Sequence, residues 1–187
     1  GPLELHIRHL PGGVFTDFVF GTSSPALKEK DILRFEGPLG SFFLREDSQK
    51  PIIFVAAGTG FAPIKSIIEQ MQAKKIQRPI ELYWGGRRPS DLYLDDLCKA
   101  WQKEIPSLKY IPVISDALEE DAWSGRTGFV HQAVMADHPD MKDLQVYACG
   151  APVMVNAARD DFSSKCHLPE EEFFADSFTS AADLATN

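Results

Sequence analysis

Apolar and polar positions alternate at the start of the chain, with Leu3, Leu5 and Ile7 set against Glu4, His6 and Arg8, the period-two pattern of a half-buried strand. Pro11-Gly12-Gly13 ends it. A short helix is expected next with Thr16 near its start, where a hydroxyl satisfies the free amides of a first turn. Ile32 to Glu36 reads as another strand, stopped by Gly37-Pro38-Leu39-Gly40. Residues 1–47 therefore read as all-β with one small helix, too little to close a barrel.

From Pro51 the pattern changes to strands alternating with helices, which predicts a parallel sheet covered on both faces. The strands are residues 52–57, 80–84, 108–114, 145–149 and 172–175. Ile64, Ile67, Ile68 and Met71 recur at helical spacing behind Pro63, a good first-turn residue. Further helices are expected over 91–103, with Leu94, Leu97 and Trp101 on one face, over 131–135 and over 153–162, where Val155, Ala158 and Phe162 point inward. Pro112 removes a ladder donor from the third strand and so places that strand at the sheet's edge. The fold class is α/β, a doubly wound five-stranded parallel sheet over 48–187, with strand three outermost and Ser48-Gln49-Lys50-Pro51 as the boundary.

Charge narrows the partners. Twenty-seven acidic against nineteen basic residues give a net charge of -8, which opposes a phosphate-backbone footprint and argues against nucleic acid. No apolar run approaches membrane-spanning length, so no membrane role is expected. Cys98, Cys149 and Cys166 are scattered, odd in number and without metal spacing, which points to a reducing cytoplasm and excludes an iron-sulfur cluster held by this chain. His6, His9, His131, His138 and His167 show no mutual metal spacing, so no metal site is expected. Gly1-Pro2 reads as a remnant of tag removal.

The strongest chemical signal is the apolar strand 52–57 followed by Gly58-Thr59-Gly60-Phe61-Ala62-Pro63 and a helix. A buried strand running through a glycine turn into a helix presents free amides and a positive dipole end to a phosphate. The glycines let a pyrophosphate reach the backbone without a Cβ in the way. The second strand exits through Trp84-Gly85-Gly86-Arg87-Arg88, and the fourth through Cys149-Gly150-Ala151-Pro152-Val153-Met154. Open α/β sheets bind ligands outside the carboxyl ends of their strands, so three glycine-bearing exits on one rim define a single crevice.

These segments resemble the ferredoxin-NADP reductase superfamily, especially its oxygenase-reductase and flavin-reductase branch, over nearly the whole chain. The resemblance implies a pyrophosphate turn at Gly58, Thr59, Gly60 and Pro63, with Thr59 also near flavin and nicotinamide. It implies adenosine contacts at Gly85, Arg87 and Arg88, and a nicotinamide neighbourhood at Cys149, Gly150, Pro152 and Met154. It makes residues 1–47 part of an antiparallel FAD-binding lobe, with His6, Ile7, Arg8, Gly13 and Thr16 as flavin contacts. The carboxyl-terminal strand offers Phe174, Asp176 and Phe178 toward the flavin, while alternation points Phe173 into the core. The family's R-x-Y-S/T flavin grip occurs nowhere here and is expected ahead of Leu3, so the chain alone is expected to hold little or no FAD. Cofactors are then NADH or NADPH with FAD, and the acceptor an iron-sulfur domain or oxygenase partner. Two alternatives stay open: reduction of free flavin, or a nucleotide-binding regulatory module without redox chemistry. Hydride transfer needs orientation rather than an acid-base dyad, consistent with the lack of any Ser-His-Asp set.

Overall fold

A computed structural model describes residues 3–179, so Gly1-Pro2 lie outside the described residues. The chain divides into two compact units, Gly1–Ser41 and Phe42–Asn187. The division falls ahead of Ser48-Gln49-Lys50-Pro51 because the intervening residues already pack into the second unit. Leu44 is buried in its core and the Arg45 amide donates to the Tyr147 hydroxyl at 3.0 Å.

In the first unit one helix forms, α1 (Val14–Phe20), closed by Gly21 at a left-handed φ of 73°. The Thr16 hydroxyl does not serve the helix amides, contrary to expectation. It donates to the Leu10 carbonyl at 2.8 Å and accepts from the Leu10 amide at 3.2 Å, which closes the Pro11-Gly12-Gly13 turn. The two expected strands of this unit do not form. Alternation creates a face, but a strand exists only when its amides and carbonyls pair with a neighbour, and these two segments do not pair with each other. Leu3, Leu5, Ile32 and Phe35 accordingly stay exposed.

The second unit holds a parallel sheet of β1 (Ile52–Ala57), β2 (Ile80–Gly86), β3 (Leu108–Ile114), β4 (Arg126–Thr127), β5 (Gln145–Gly150) and β6 (Phe173–Ser177), in the order β4-β3-β2-β1-β5-β6. All five expected strands are present, and β4 is an addition too short to read from period two. It displaces β3 from the edge, pairing Val113 with Arg126 and Ile114 with Thr127. The proline constraint still holds locally. Ser115 donates to Gly86 on β2, so by alternation residue 112 faces away from β2, on the side where β4 has not yet begun.

Helices α2 (Phe61–Lys74) and α3 (Asp95–Glu104) pack on one face with Ile52, Phe54, Leu82 and Trp84; α4 (Val130–Asp137) and α5 (Pro152–Cys166) pack on the other with Ile53, Val55, Tyr83 and Val146. Helix α3 starts later than residue 91 because Pro89–Asp91 forms its own 3-10 turn.

At the amino end of the sheet lies a fully buried arginine that pattern reading passes over. Arg78, 1% exposed, donates from Nε to the Lys50 carbonyl at 2.8 Å and from Nη1 to the Arg45 carbonyl at 3.0 Å. It also donates to Gln145 Oε1 at 2.8 Å, and Gln145 in turn donates to Glu172 at 2.8 Å. Burial lowers the guanidinium pKa, opposed by Tyr147, Glu172 and Asp47. One side chain thus ties the entry to β1 and the start of β5 together. Replacing Arg78 by Met is expected to lower unfolding free energy by about 3 kcal/mol, with Lys restoring only part, because the planar fork serves several carbonyls at once. Urea midpoints at unchanged slope measure this.

Candidate functional site

The site is built where β1 and β5 lie side by side, Ala56 opposite Cys149, and where their connections depart to opposite faces through α2 and α5. That is the topological switch point of a doubly wound sheet, where the diverging connections leave a crevice.

Two glycines pinch the strand exits together. A Cβ on Gly60 would lie 2.1 Å from the Cys149 carbonyl oxygen and 2.7 Å from the Gly150 nitrogen. A Cβ on Gly150, whose φ is 145°, would lie 2.8 Å from the Ala57 carbonyl oxygen. Both residues are therefore required by backbone-to-backbone packing, a cause additional to the pyrophosphate role expected of Gly60 and the nicotinamide neighbourhood expected of Gly150. Gly58 differs. Its φ is 54° and a Cβ there would meet nothing within 4 Å, so this corner of the turn is open.

The Gly58–Gly60 turn runs directly into α2, with Thr59 half-buried and Pro63 in the first helical turn. No side chain caps the amino end of this fourteen-residue helix, which instead continues from the 3-10 turn Gly58–Gly60, so its dipole points back along that turn. The Gly58 carbonyl is held from below: it accepts the Phe61 amide and the indole Nε1 of Trp84 at 3.1 Å.

At the β2 exit Gly85 is buried, a Cβ there falling 2.8 Å from Val130 Cβ, so its smallness serves the packing of α4. The following turn is shaped by Asp91, whose Oδ2 accepts the Arg87 amide at 2.8 Å and the Arg88 amide at 3.0 Å. Arg87 is exposed and pairs with Asp116 at 2.8 Å, from the segment after β3. Arg88 pairs with Asp121 at 2.6 Å and Glu120 at 3.2 Å, leaving its guanidinium largely committed to the connection after β3.

At the β5 and β6 exits Cys149 stands opposite Asp176, and the Phe178 amide donates to the Gly150 carbonyl at 2.9 Å. Cys149 is fully buried, packed in the cluster that holds Phe61 and Trp84. Burial, followed by the nearby Asp176 carboxylate, pushes its thiol above the usual range, so it is a neutral thiol and not a nucleophile. Pro152 opens α5, and Met154 packs onto the opposite core face. Phe178 remains exposed at the rim.

Phe174 is not brought to this rim. Opposite Tyr147, it stacks at 4.9 Å between ring centroids on Tyr147, with the Arg45 guanidinium 4.4 Å above it, a packing role nearer the amino end of the sheet. Phe173 faces the core as alternation predicts. His6, Ile7, Arg8, Gly13 and Thr16 belong to the first unit. There His6 sits 2.7 Å from Glu4, and Gly13 is crowded by Thr16 and the Leu10 carbonyl. Sequence reasoning missed Trp84, Asp91 and Asp116. Only Asp91 carried a legible signal, an acid three residues beyond Arg88 after a proline, where such a side chain closes a turn.

A six-stranded, doubly wound parallel sheet with glycine-lined exits at its switch point defines a dinucleotide-binding class of α/β domain. Residues 54–160 match the Oxidoreductase NAD-binding domain family, and the chain belongs to it, within the oxygenase-reductase branch of the ferredoxin-NADP reductase superfamily. The chain is 44% identical to the CDP-6-deoxy-L-threo-D-glycero-4-hexulose-3-dehydrase reductase of Yersinia pestis, over 95% of this chain and 51% of that protein. It is 32% identical to the NAD(P)H-flavin reductase of Aliivibrio fischeri, over 95% of this chain and 74% of that one. Among solved structures, the cytochrome P450 reductase GcoB of Amycolatopsis superposes with a TM-score of 0.77 at 29% identity, over 95% of this chain and 52% of that chain. The chain thus spans about half the length of the Yersinia relative.

The two glycines of the turn are expected to respond differently to alanine. Gly58→Ala carries the strain of a left-handed residue, about 1–2 kcal/mol. Gly60→Ala forces a Cβ into a carbonyl and is expected to cost at least about 4 kcal/mol or to prevent folding. Chemical denaturation of both variants tests the pinch, and equal small losses would remove it.

Proposed function

We propose that this chain is the pyridine-nucleotide portion of an NAD(P)H-dependent flavoprotein reductase that delivers electrons to an iron-sulfur or oxygenase-type partner. The observation that carries this reading is the open Gly58 corner at the amino end of α2, set at the switch point between pinched strand exits. The names of the Yersinia reductase and the Amycolatopsis cytochrome P450 reductase support the electron-transfer assignment. No described helix is long and apolar enough to cross a membrane, which is compatible with the cytoplasmic setting expected from the cysteines.

When bound, NAD(P)H supplies a hydride from its nicotinamide ring to a flavin. In this chain the amides around Thr59, at the turn into α2, would hold the pyrophosphate, and Arg87 would stand by the adenosine. Thr59, Asp176 and Phe178 border the nicotinamide. Gly13 and Thr16, with His6, Ile7 and Arg8, are the flavin-side residues of the first unit. Cys149 acts as a positioning residue: its buried thiol fills the space beneath the β5 exit and keeps the rim at its spacing. Cys149→Ala in the full-length enzyme is expected to slow flavin reduction by about tenfold or more while changing the NADH dissociation constant by less than about threefold, since misplacement of ~1 Å costs rate before affinity. Stopped-flow reduction measures both, and loss of affinity at an unchanged rate would defeat the assignment.

Asp116 bears on the choice of nucleotide. An exposed ion pair adds little stability, but a carboxylate on Arg87 repels a 2'-phosphate and can accept from a 2'-hydroxyl. NADH is therefore the preferred donor in this reading. Asp116→Asn is expected to improve NADPH binding by about tenfold, ~1.4 kcal/mol, with NADH little changed. Calorimetric titration of both nucleotides checks it, and tighter NADPH binding by the unaltered protein would reverse the preference.

A second acceptor has its own support, because the chain covers 74% of the Aliivibrio flavin reductase. Turnover of added FMN or riboflavin by the full-length protein, compared with turnover of an iron-sulfur acceptor, separates the two.

A further inference from the structure

We infer that Trp84 is a positioning residue for dinucleotide binding, acting through the peptide between Gly58 and Thr59. The inference rests on the nucleotide-crevice reading above and assigns a part of that site to a side chain from a different strand, wholly inside the core.

Trp84 is 0% exposed and stands opposite Ala56, yet its indole nitrogen reaches past the end of β1 to the Gly58 carbonyl at 3.1 Å. The ring itself is immobilised. It stacks on Phe61 with centroids 4.0 Å apart and planes 13° from parallel, and Tyr93 meets it edge-on at 5.2 Å. A buried indole N–H needs an acceptor, and here the acceptor is the most conformationally permissive residue of the turn.

The geometric consequence follows from the peptide plane. In a trans peptide the carbonyl and the next amide point in opposite directions. Fixing the Gly58 carbonyl toward the core therefore fixes the Thr59 N–H on the opposite side of the peptide, away from the indole. The Phe61 amide is a second donor to the same carbonyl, so removing the indole loosens this peptide rather than freeing it, and glycine at a φ of 54° has alternative backbone wells into which the loosened peptide can turn the Thr59 amide out of register. Trp84 thus holds a phosphate-directed donor in place without touching the ligand.

Trp84→Phe keeps an aromatic ring against Phe61 and removes the donor together with part of the ring volume, which a Phe61→Leu control separates from loss of the hydrogen bond. In the present chain, ADP-ribose binding is expected to weaken about tenfold, the ~1.4 kcal/mol worth of one hydrogen bond, while adenosine, which lacks phosphates, binds within about twofold of wild type. The Thr59 amide resonance is expected to be sharp in the wild type and exchange-broadened in the variant before any ligand is added. Equal loss for both ligands, or unchanged ADP-ribose affinity with a sharp Thr59 resonance, would overturn the inference while leaving the crevice reading intact. Failure of the wild type to bind ADP-ribose would overturn the crevice reading, and this inference with it. Should Trp84→Phe fail to fold, Phe61→Leu, which disturbs the stack but keeps the donor, must bind ADP-ribose nearly as wild type; a tenfold loss there would show that packing, not the indole bond, sets the turn.

Discussion

The structure depends on one close approach: the backbone of the turn after β1 lies directly against the backbone that ends β5, with no side chain between them. Gly60 on the Cys149 carbonyl and Gly150 on Ala57 make this contact possible. It brings adjacent strands to a common rim at the place where their helices diverge, and so sets the crevice and the turn into α2 together. Any Cβ at either position separates the exits. The chemistry expected of this domain is orientation of a dinucleotide, and orientation is what a rigid pair of strand ends provides.

The opposite end of the sheet is secured differently. Arg78 gathers the carbonyls of residues 45 and 50 and the amide oxygen of Gln145, while Lys50 meets Glu172 at 2.6 Å. The two ends therefore use contrasting physics: contact of bare backbone at the rim, and a desolvated cation with oxygen acceptors at the base. Between them the strands are apolar on both faces, which explains why their sequences read as nearly continuous hydrophobic runs.

Much of this was legible from the residues. The switch from period two to alternating strands and helices located all five long strands, but the edge position read from Pro112 was wrong, because β4, too short to register, lies outside β3. The two strands expected in the first unit do not form, because alternation reports a face and not a partner. The glycines were found for an incomplete reason: a G-x-G turn looks the same in a sequence whether a phosphate or a carbonyl is what excludes the Cβ. Trp84, Asp116 and Arg78 were illegible because each acts across the fold, on a backbone or side chain distant in sequence. Phe174 was assigned to the rim from its strand, and its register beside Tyr147 places it elsewhere.

The acceptors chosen by Arg78 have a consequence for how this protein can change over time. Two of its three partners are main-chain carbonyls, so the clamp does not recognise what side chains stand at positions 45 and 50. The path of the segment that leads into β1 is thereby set without reference to its side chains, and what restrains composition there is separate: Arg45 over Phe174 and Lys50 on Glu172. Homologues are then expected to keep the arginine and the glutamine opposite it, and to differ most at the positions between residues 45 and 50.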